Sequence, residues 1–258
     1  MKKTLSPRGW VIMGLLLGAG VVLVARAPAH WLASGLASAS DGRVQLLNAS
    51  GTLWNGQAQL ALSGGQDSVD AVSLPGRVQW SLKPSTSGLQ LTVQASCCTP
   101  EPLQLLITPR WGAATLTVTD GASHWPAALL SGLGTPWNTL APEGRLTLAS
   151  TGLRIELSPQ GAEISGRAQL EIQNFATRLS TLRPLGNYRV QMEGGVTPNF
   201  TLSTTSGPLE MNGTGQLRDK RLLFEGRAGA APGKEDALSN LLNIIGRRDG
   251  AQSIITLG

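Results

Sequence analysis

The chain is poor in the side chains that carry chemistry. Among 258 residues there are two His, two Cys, one Tyr and three Phe, and charged residues make up only 14%. His30 and His124 are each followed by Trp, and no Gly-x-Ser-x-Gly elbow accompanies them, so a Ser-His-Asp triad has no frame. Two Cys with no His nearby in sequence offer too few ligands for a zinc site. Residues 229–235, GAAPGKE, imitate a phosphate loop, yet one spacer residue is missing and Glu235 stands where Ser or Thr must ligate magnesium. No catalytic residue, metal site or cofactor is expected, and His124 reads as a loop histidine packed beside Trp125.

An excess of positive charge beyond residue 30 is also missing. The formal charge of +5 comes from the N-terminus: Lys2, Lys3, Arg8 and Arg26 take four of the 21 Lys and Arg, which leaves 17 against 16 Asp and Glu. Nucleic-acid binders gather cations on one face of the folded part, so no nucleic-acid partner is expected.

What is present is one uninterrupted apolar run. Residues 10–25, WVIMGLLLGAGVVLVA, carry no charge, follow three cations and end at Arg26. As a helix at 1.5 Å per residue the run reaches about 24 Å, so crossing a hydrocarbon core of about 30 Å requires helix beyond Arg26. The expected span covers residues 10–29, with Trp10, Val11, Leu15, Leu16, Leu17, Val21, Val22, Leu23 and Val24 facing lipid. The cations before it place residues 1–9 in the cytoplasm and the rest on the far side of the membrane. A cleaved signal peptide is the rival reading, since Ala27-Pro28-Ala29 and Ala37-Ser38-Ala39 both offer small-x-small sites.

Beyond the run, Gly (32 residues) and Pro (15) are abundant, which suits short strands joined by turns rather than long helices. Residues 30–42 are small and polar, fitting a tether or a juxtamembrane helix. From Arg43 the apolar period is two, at Val44 and Leu46, then Leu60 and Leu62 after the hairpin signal Asn55-Gly56. It continues at Val78, Trp80 and Leu82, at Leu89, Leu91 and Val93, at Leu103, Leu105 and Ile107, and at Leu116 and Val118. Residues 123–142 read as a long loop with at most one helical turn near Ala127, after which alternation resumes through Leu146, Ile155, Leu170 and Ile172. A short repeat, Gly56-Gln57-Ala58-Gln59-Leu60, returns as Gly166-Arg167-Ala168-Gln169-Leu170, as hairpin-like repeats of one sheet would give.

One amphipathic helix is expected over residues 235–246. Leu238, Leu241, Leu242 and Ile245 fall on one stripe, Glu235 and Asp236 occupy the first turn, and Gly246 then Arg247 and Arg248 mark the end. The fold class is therefore mainly β: a single N-terminal transmembrane helix, an extended or rolled antiparallel sheet over residues 43–258, and this helix. Adjacent Cys97 and Cys98 have three outcomes: a vicinal disulfide, two free thiols, or bonds to a partner. An oxidising compartment outside the cytoplasm favours the disulfide.

Several stretches in this order resemble a known family: Ser50-Gly51-Thr52-Leu53-Trp54-Asn55-Gly56, Leu185-Gly186-Asn187-Tyr188-Arg189, Ser206-Gly207-Pro208-Leu209, and Leu241-Leu242-Asn243-Ile244-Ile245-Gly246-Arg247-Arg248. With the single apolar run they resemble the N component of the type II secretion system. That resemblance implies an accessory, non-enzymatic part of the inner-membrane platform of an exporter of folded proteins. Its partners would be other platform proteins and the outer-membrane secretin. The alternation of Leu and Val alone allows a different function, a membrane-anchored β-groove that binds or transfers lipid or another amphiphile.

Overall fold

A computed structural model describes residues 7–66, 68, 70–159, 161–218 and 221–258. It begins with two helices, α1 (Pro7–Ala25) and α2 (Ala29–Ala39). Eight strands follow: β1 (Val44–Gly51), β2 (Asn55–Ser63), β3 (Ala71–Ser73), β4 (Val78–Ser85), β5 (Gly88–Ala95), β6 (Leu103–Arg110), β7 (Ala113–Val118) and β8 (Gly121–Pro126). A 3-10 helix (Ala127–Leu133) and the short α3 (Trp137–Leu140) lead to two long strands, β9 (Glu143–Ser158) and β10 (Gly161–Ala176). Then come β11 (Gly186–Gly195), β12 (Asn199–Ser206), β13 (Leu209–Arg218), β14 (Arg221–Ala230), α4 (Glu235–Ile245), β15 (Arg247–Asp249) and β16 (Gln252–Leu257). The sixteen strands make one sheet, and nearly every strand pairs with its sequence neighbour. The chain is mainly β, a large antiparallel sheet with a few helices.

Register sorts the side chains onto two faces, because alternate residues of a strand point to opposite sides. One row across six strands reads Pro84, Leu89, Ile107, Leu116, Ile155, Ile164. A second reads Leu148, Leu170, Val190, Leu202. One residue out of step with the second, the row is Gln169, Gln191, Thr201, Thr214, Glu225, Thr256. The sheet thus has an apolar and a polar face, and the alternation of the sequence is the cause.

Helices cover only part of the apolar face. At the C-terminal half, Leu238, Leu241 and Leu242 of α4 pack on Leu185, Leu209 and Ala228. At the N-terminal half, Leu129 of the 3-10 helix packs with Leu74, Val78, Ala95 and Cys98, and Ala29 of α2 packs with Ala58 and Trp80.

Tyr188 lies in the α4 region, edge-on to Phe175 and 1% exposed, with its hydroxyl donating to the Leu209 carbonyl at 2.9 Å. Burial pushes that hydroxyl well above its ordinary 10.0. A folded value above the unfolded one means the buried phenol stabilises the fold fully below about pH 10 and that this contribution fades as pH rises through the folded value. Tyr188 is the only tyrosine, so phenolate absorbance reads it directly. The folded chain should show none at pH 11, and absorbance should appear together with loss of β-sheet circular dichroism. Phenolate forming in the folded chain near pH 10 would remove Tyr188 from the core.

Four expectations are corrected. Among the described residues no helix is long and apolar enough to cross a membrane, so the span over residues 10–29 does not stand as drawn. The charge-free stretch of α1, residues 9–25, is about 26 Å of helix against a core of about 30 Å. The extra length counted beyond Arg26 is missing, because the helix ends at Ala25, Ala27 and Ala29 are buried, and Pro28 bridges to Thr52. The expected loop over residues 123–142 starts as strand β8, which pairs with the N-terminal half of β9, and includes two turns of 3-10 helix. His124 therefore lies on a strand, its Nδ1 3.0 Å from Thr147 Oγ1. Arg247 and Arg248 do not sit at the helix dipole; they open β15, paired to Ile254 and Ser253 of β16. Residues 30–42, a tether or helix by sequence, hold most of α2.

Candidate functional site

The motif of residues 50–56 is the clasp between α1 and the sheet. Trp54 Nε1 donates to the Val24 carbonyl at 2.8 Å, Leu53 N donates to the Ala27 carbonyl at 2.7 Å, and Leu82 N donates to the Trp54 carbonyl at 2.7 Å. Trp80, 6% exposed, donates its Nε1 to the Leu53 carbonyl at 3.1 Å from below. The end of the helix is thus tied, at Val24 and at Ala27 just beyond it, to the β1–β2 turn, which Trp80 and Leu82 of β4 hold in place. A groove opens beside the clasp, walled by Leu16, Leu17 and Val21 of α1 and by Trp54, Leu82 and Pro84.

The rest of α1 is bare. Val11, Leu15, Leu16, Leu17, Val21, Val22, Leu23 and Val24 are between 53% and 70% exposed, an apolar surface that water does not accommodate. The side chain of Trp10 lies outside the described residues, as do residues 1–6. Sequence reading missed a second exposed set, Trp111 at 104% and Val196 at 96%, on the hairpin tips after β6 and β11. Turn tips favour Gly, Asn and Asp, so a Trp between Arg110 and Gly112 was the available signal.

Cys97 and Cys98 are joined to each other. They occupy the turn after β5, where Thr99 Oγ1 accepts from the Ala95 amide at 2.8 Å and His124 N donates to the Cys98 carbonyl at 2.7 Å. Cys98 is 3% exposed within the N-terminal core, whereas Cys97 faces solvent. We propose that the isolated chain carries this bond. Iodoacetamide should then label neither Cys without reductant, and after mild reduction should label Cys97 ahead of Cys98. Labelling of both thiols before reduction would remove the bond.

Leu238, Leu241 and Leu242 are 2% exposed or less, while Ile245 packs at the edge of the same cluster. Their neighbours come from the two motifs around Gly186 and Gly207, which sit against each other. Leu209 N donates to the Leu185 carbonyl at 3.0 Å, and Asn187 Nδ2 donates to Ser206 Oγ at 2.8 Å. Gly207 has φ +127°, and a Cβ there would overlap the Cα of Gly186. The stripe and these motifs form one structural unit, with no side chain placed to react.

The sheet ends in two edges. β15 is three exposed residues, Arg247, Arg248 and Asp249, short and charged as protected edges are. β1 is longer, eight residues with a bulge between Leu47 and Ser50, and α2 packs beside it. Among the described residues no group of three His, Cys, Asp or Glu is placed to hold a metal.

A family model described as type II secretion system (T2SS), protein N, matches residues 42–255. No curated protein and no solved structure matches the chain.

Proposed function

We propose, from the premise that the chain belongs to the type II secretion system protein N family, that it is an accessory structural component of the secretion system's inner-membrane platform. Membership makes it a component of protein transport in the cell envelope. The family match carries the reading, since it runs from before β1 into β16, the last strand.

In this reading α1 and the residues before it hold the chain at the inner membrane, with residues 1–9 on the cytoplasmic side and residues 43–258 in the periplasm. The exposed apolar surface of α1 and the Cys97–Cys98 bond support that placement, since thiols in the cytoplasm are kept reduced. The role is one of contact rather than catalysis. Platform proteins and the secretin are the partners, met along β1 and at the hairpin tips, because unpaired strand edges accept another strand.

The test is genetic and chemical together. Removing the gene should lower export of folded periplasmic proteins. Photocrosslinkers at Asn55, beside the clasp, and at Arg218, on the β13–β14 tip, should capture platform proteins. Normal export of every such protein in the deletion strain, with no platform protein captured from either position, would falsify the reading.

A further inference from the structure

Over β1 to β5 the apolar face is covered in part by α2, where Ala29 packs on Ala58 and Trp80 with Leu91 against them; the other covers lie at one end of the strands. The α4 cluster holds Phe175 near the end of β10 and Leu185 before the start of β11, and the 3-10 cluster holds Val78 at the start of β4 and Ala95 at the end of β5. In an antiparallel meander these positions share one end. The opposite end carries the tips after β4, β6, β9 and β11, and there the apolar face stays uncovered. Leu157, beside the β9 tip, is 48% exposed, and Leu257, at the corresponding end of β16, is 55% exposed.

This open end meets α1. Pro84 begins the six-strand apolar row, and with Leu82 it also walls the groove whose other side is Leu16, Leu17 and Val21 of the helix. The row continues from that groove through Leu89, Ile107, Leu116 and Ile155 to Ile164, all of them aliphatic. Five strand spacings of about 4.8 Å make it roughly 24 Å long, enough for an extended fatty-acyl chain. Trp111, beside Arg110, projects at the same end, a residue type that settles at a headgroup boundary, and the exposed Val196 stands there too.

We propose that the uncovered apolar face binds the acyl chain of a phospholipid, which enters at the hairpin-tip end from the bilayer that holds α1. Three observations select this occupant. The face is continuous with a helix whose own surface is apolar and bare, so the nearest source of ligand is lipid. The row offers no polar side chain to pair with a peptide or a sugar. The rim at its mouth carries Trp111 beside Arg110, residue types that suit a headgroup layer. The proposal rests on α1 lying in the membrane.

The experiment uses the full chain in native membranes. The photoreactive residue p-benzoylphenylalanine is placed at Ile155 or Leu170 on the apolar face, at Gln90 or Gln191 on the polar face, and at Leu16 of α1. After irradiation, purified chain is weighed by mass spectrometry. Phospholipid adducts should form at Leu16, Ile155 and Leu170, and severalfold less at Gln90 and Gln191. Lipid at Leu16 with none at Ile155 and Leu170 overturns the acyl site and leaves the membrane placement standing. No lipid at Leu16 overturns both. Capture of a protein at Leu170 in place of lipid makes the face a protein-docking surface.

A second measurement needs no photoreactive residue. Wild-type chain extracted in mild detergent should retain phospholipid in native mass spectra, and Leu202→Asp should lose it severalfold with an unchanged circular dichroism spectrum. Wild type without lipid, or a folded Leu202→Asp variant retaining it fully, overturns the proposal.

Discussion

Leu242→Asp is expected to lower the melting temperature of the full chain by roughly 10 to 20 °C. Leu242 is 1% exposed, packed with Leu185, Leu209 and Ala228, and its carbonyl accepts from Ser253 Oγ at 2.7 Å, which ties α4 to β16. Losing a buried Leu costs about 2 to 5 kcal/mol, and a carboxyl without a partner adds about 2 more. For a chain of this size each kcal/mol moves the midpoint by roughly 2 to 4 °C. Asn243→Asp, on the exposed side of the same helix, is the control and should leave the midpoint within a degree or two. An unchanged midpoint for Leu242→Asp with export abolished in cells would make the stripe a partner-binding surface instead.

Gly207→Val should be of similar severity for a different reason. The residue lies at φ +127°, where a β-branched side chain is strained, and its Cβ would meet the Cα of Gly186 and lie 2.6 Å from the Leu185 carbonyl oxygen. Both obstacles are backbone, so relief requires the β10–β11 and β12–β13 turns to separate. That separation breaks the Leu209 to Leu185 hydrogen bond and draws the Leu209 carbonyl away from Tyr188. Failure to accumulate in cells, or a midpoint lowered by roughly 10 °C, is the expected result. Gly233→Val gives the contrast: φ is also positive, at +76°, but nothing stands within 4 Å, so only backbone strain of about 1 to 3 kcal/mol remains. Equal stability of the two variants would show that the Gly186–Gly207 approach is not needed.

Strand chemistry was legible wherever one face alternated without interruption. Leu82, Leu91 and Leu105 were assigned to strands from period alone, and register then aligned them side by side. The stripe of α4 was equally legible, because Leu238, Leu241 and Leu242 obey helical spacing and water penalises any other arrangement. Strand β8 was hidden because His124, Trp125 and Pro126 break the pattern, and its pairing is supplied by the extra length of β9. That length was hidden in turn by Gly152 and Gly166, which mark bulges and shift the alternation. Arg247 and Arg248 suit a helix end by charge, yet pairing with Ile254 and Ser253 outweighed a weak dipole effect. The clasp depends on Trp54 reaching Val24 across 30 residues, and no local pattern encodes such a contact. For the same reason the sequence could show an apolar face but not which end of it is left open.

The order of the strands bears on how the chain is built. From β4 to β7 and from β9 to β14 each strand finds its partner immediately before it, so every closure in those runs spans only a hairpin. Loop-closure entropy is smallest for such contacts, and chains rich in them fold fast. A chain synthesised from its N-terminus can therefore add strands one at a time, each templated by the edge just formed. The last addition is the exception: β16 must cross α4 and β15 to reach β14. Synthesis of the C-terminus thus acts as the closing step, and chains truncated before Gln252 should leave β14 as a free edge, prone to self-association and to proteolysis.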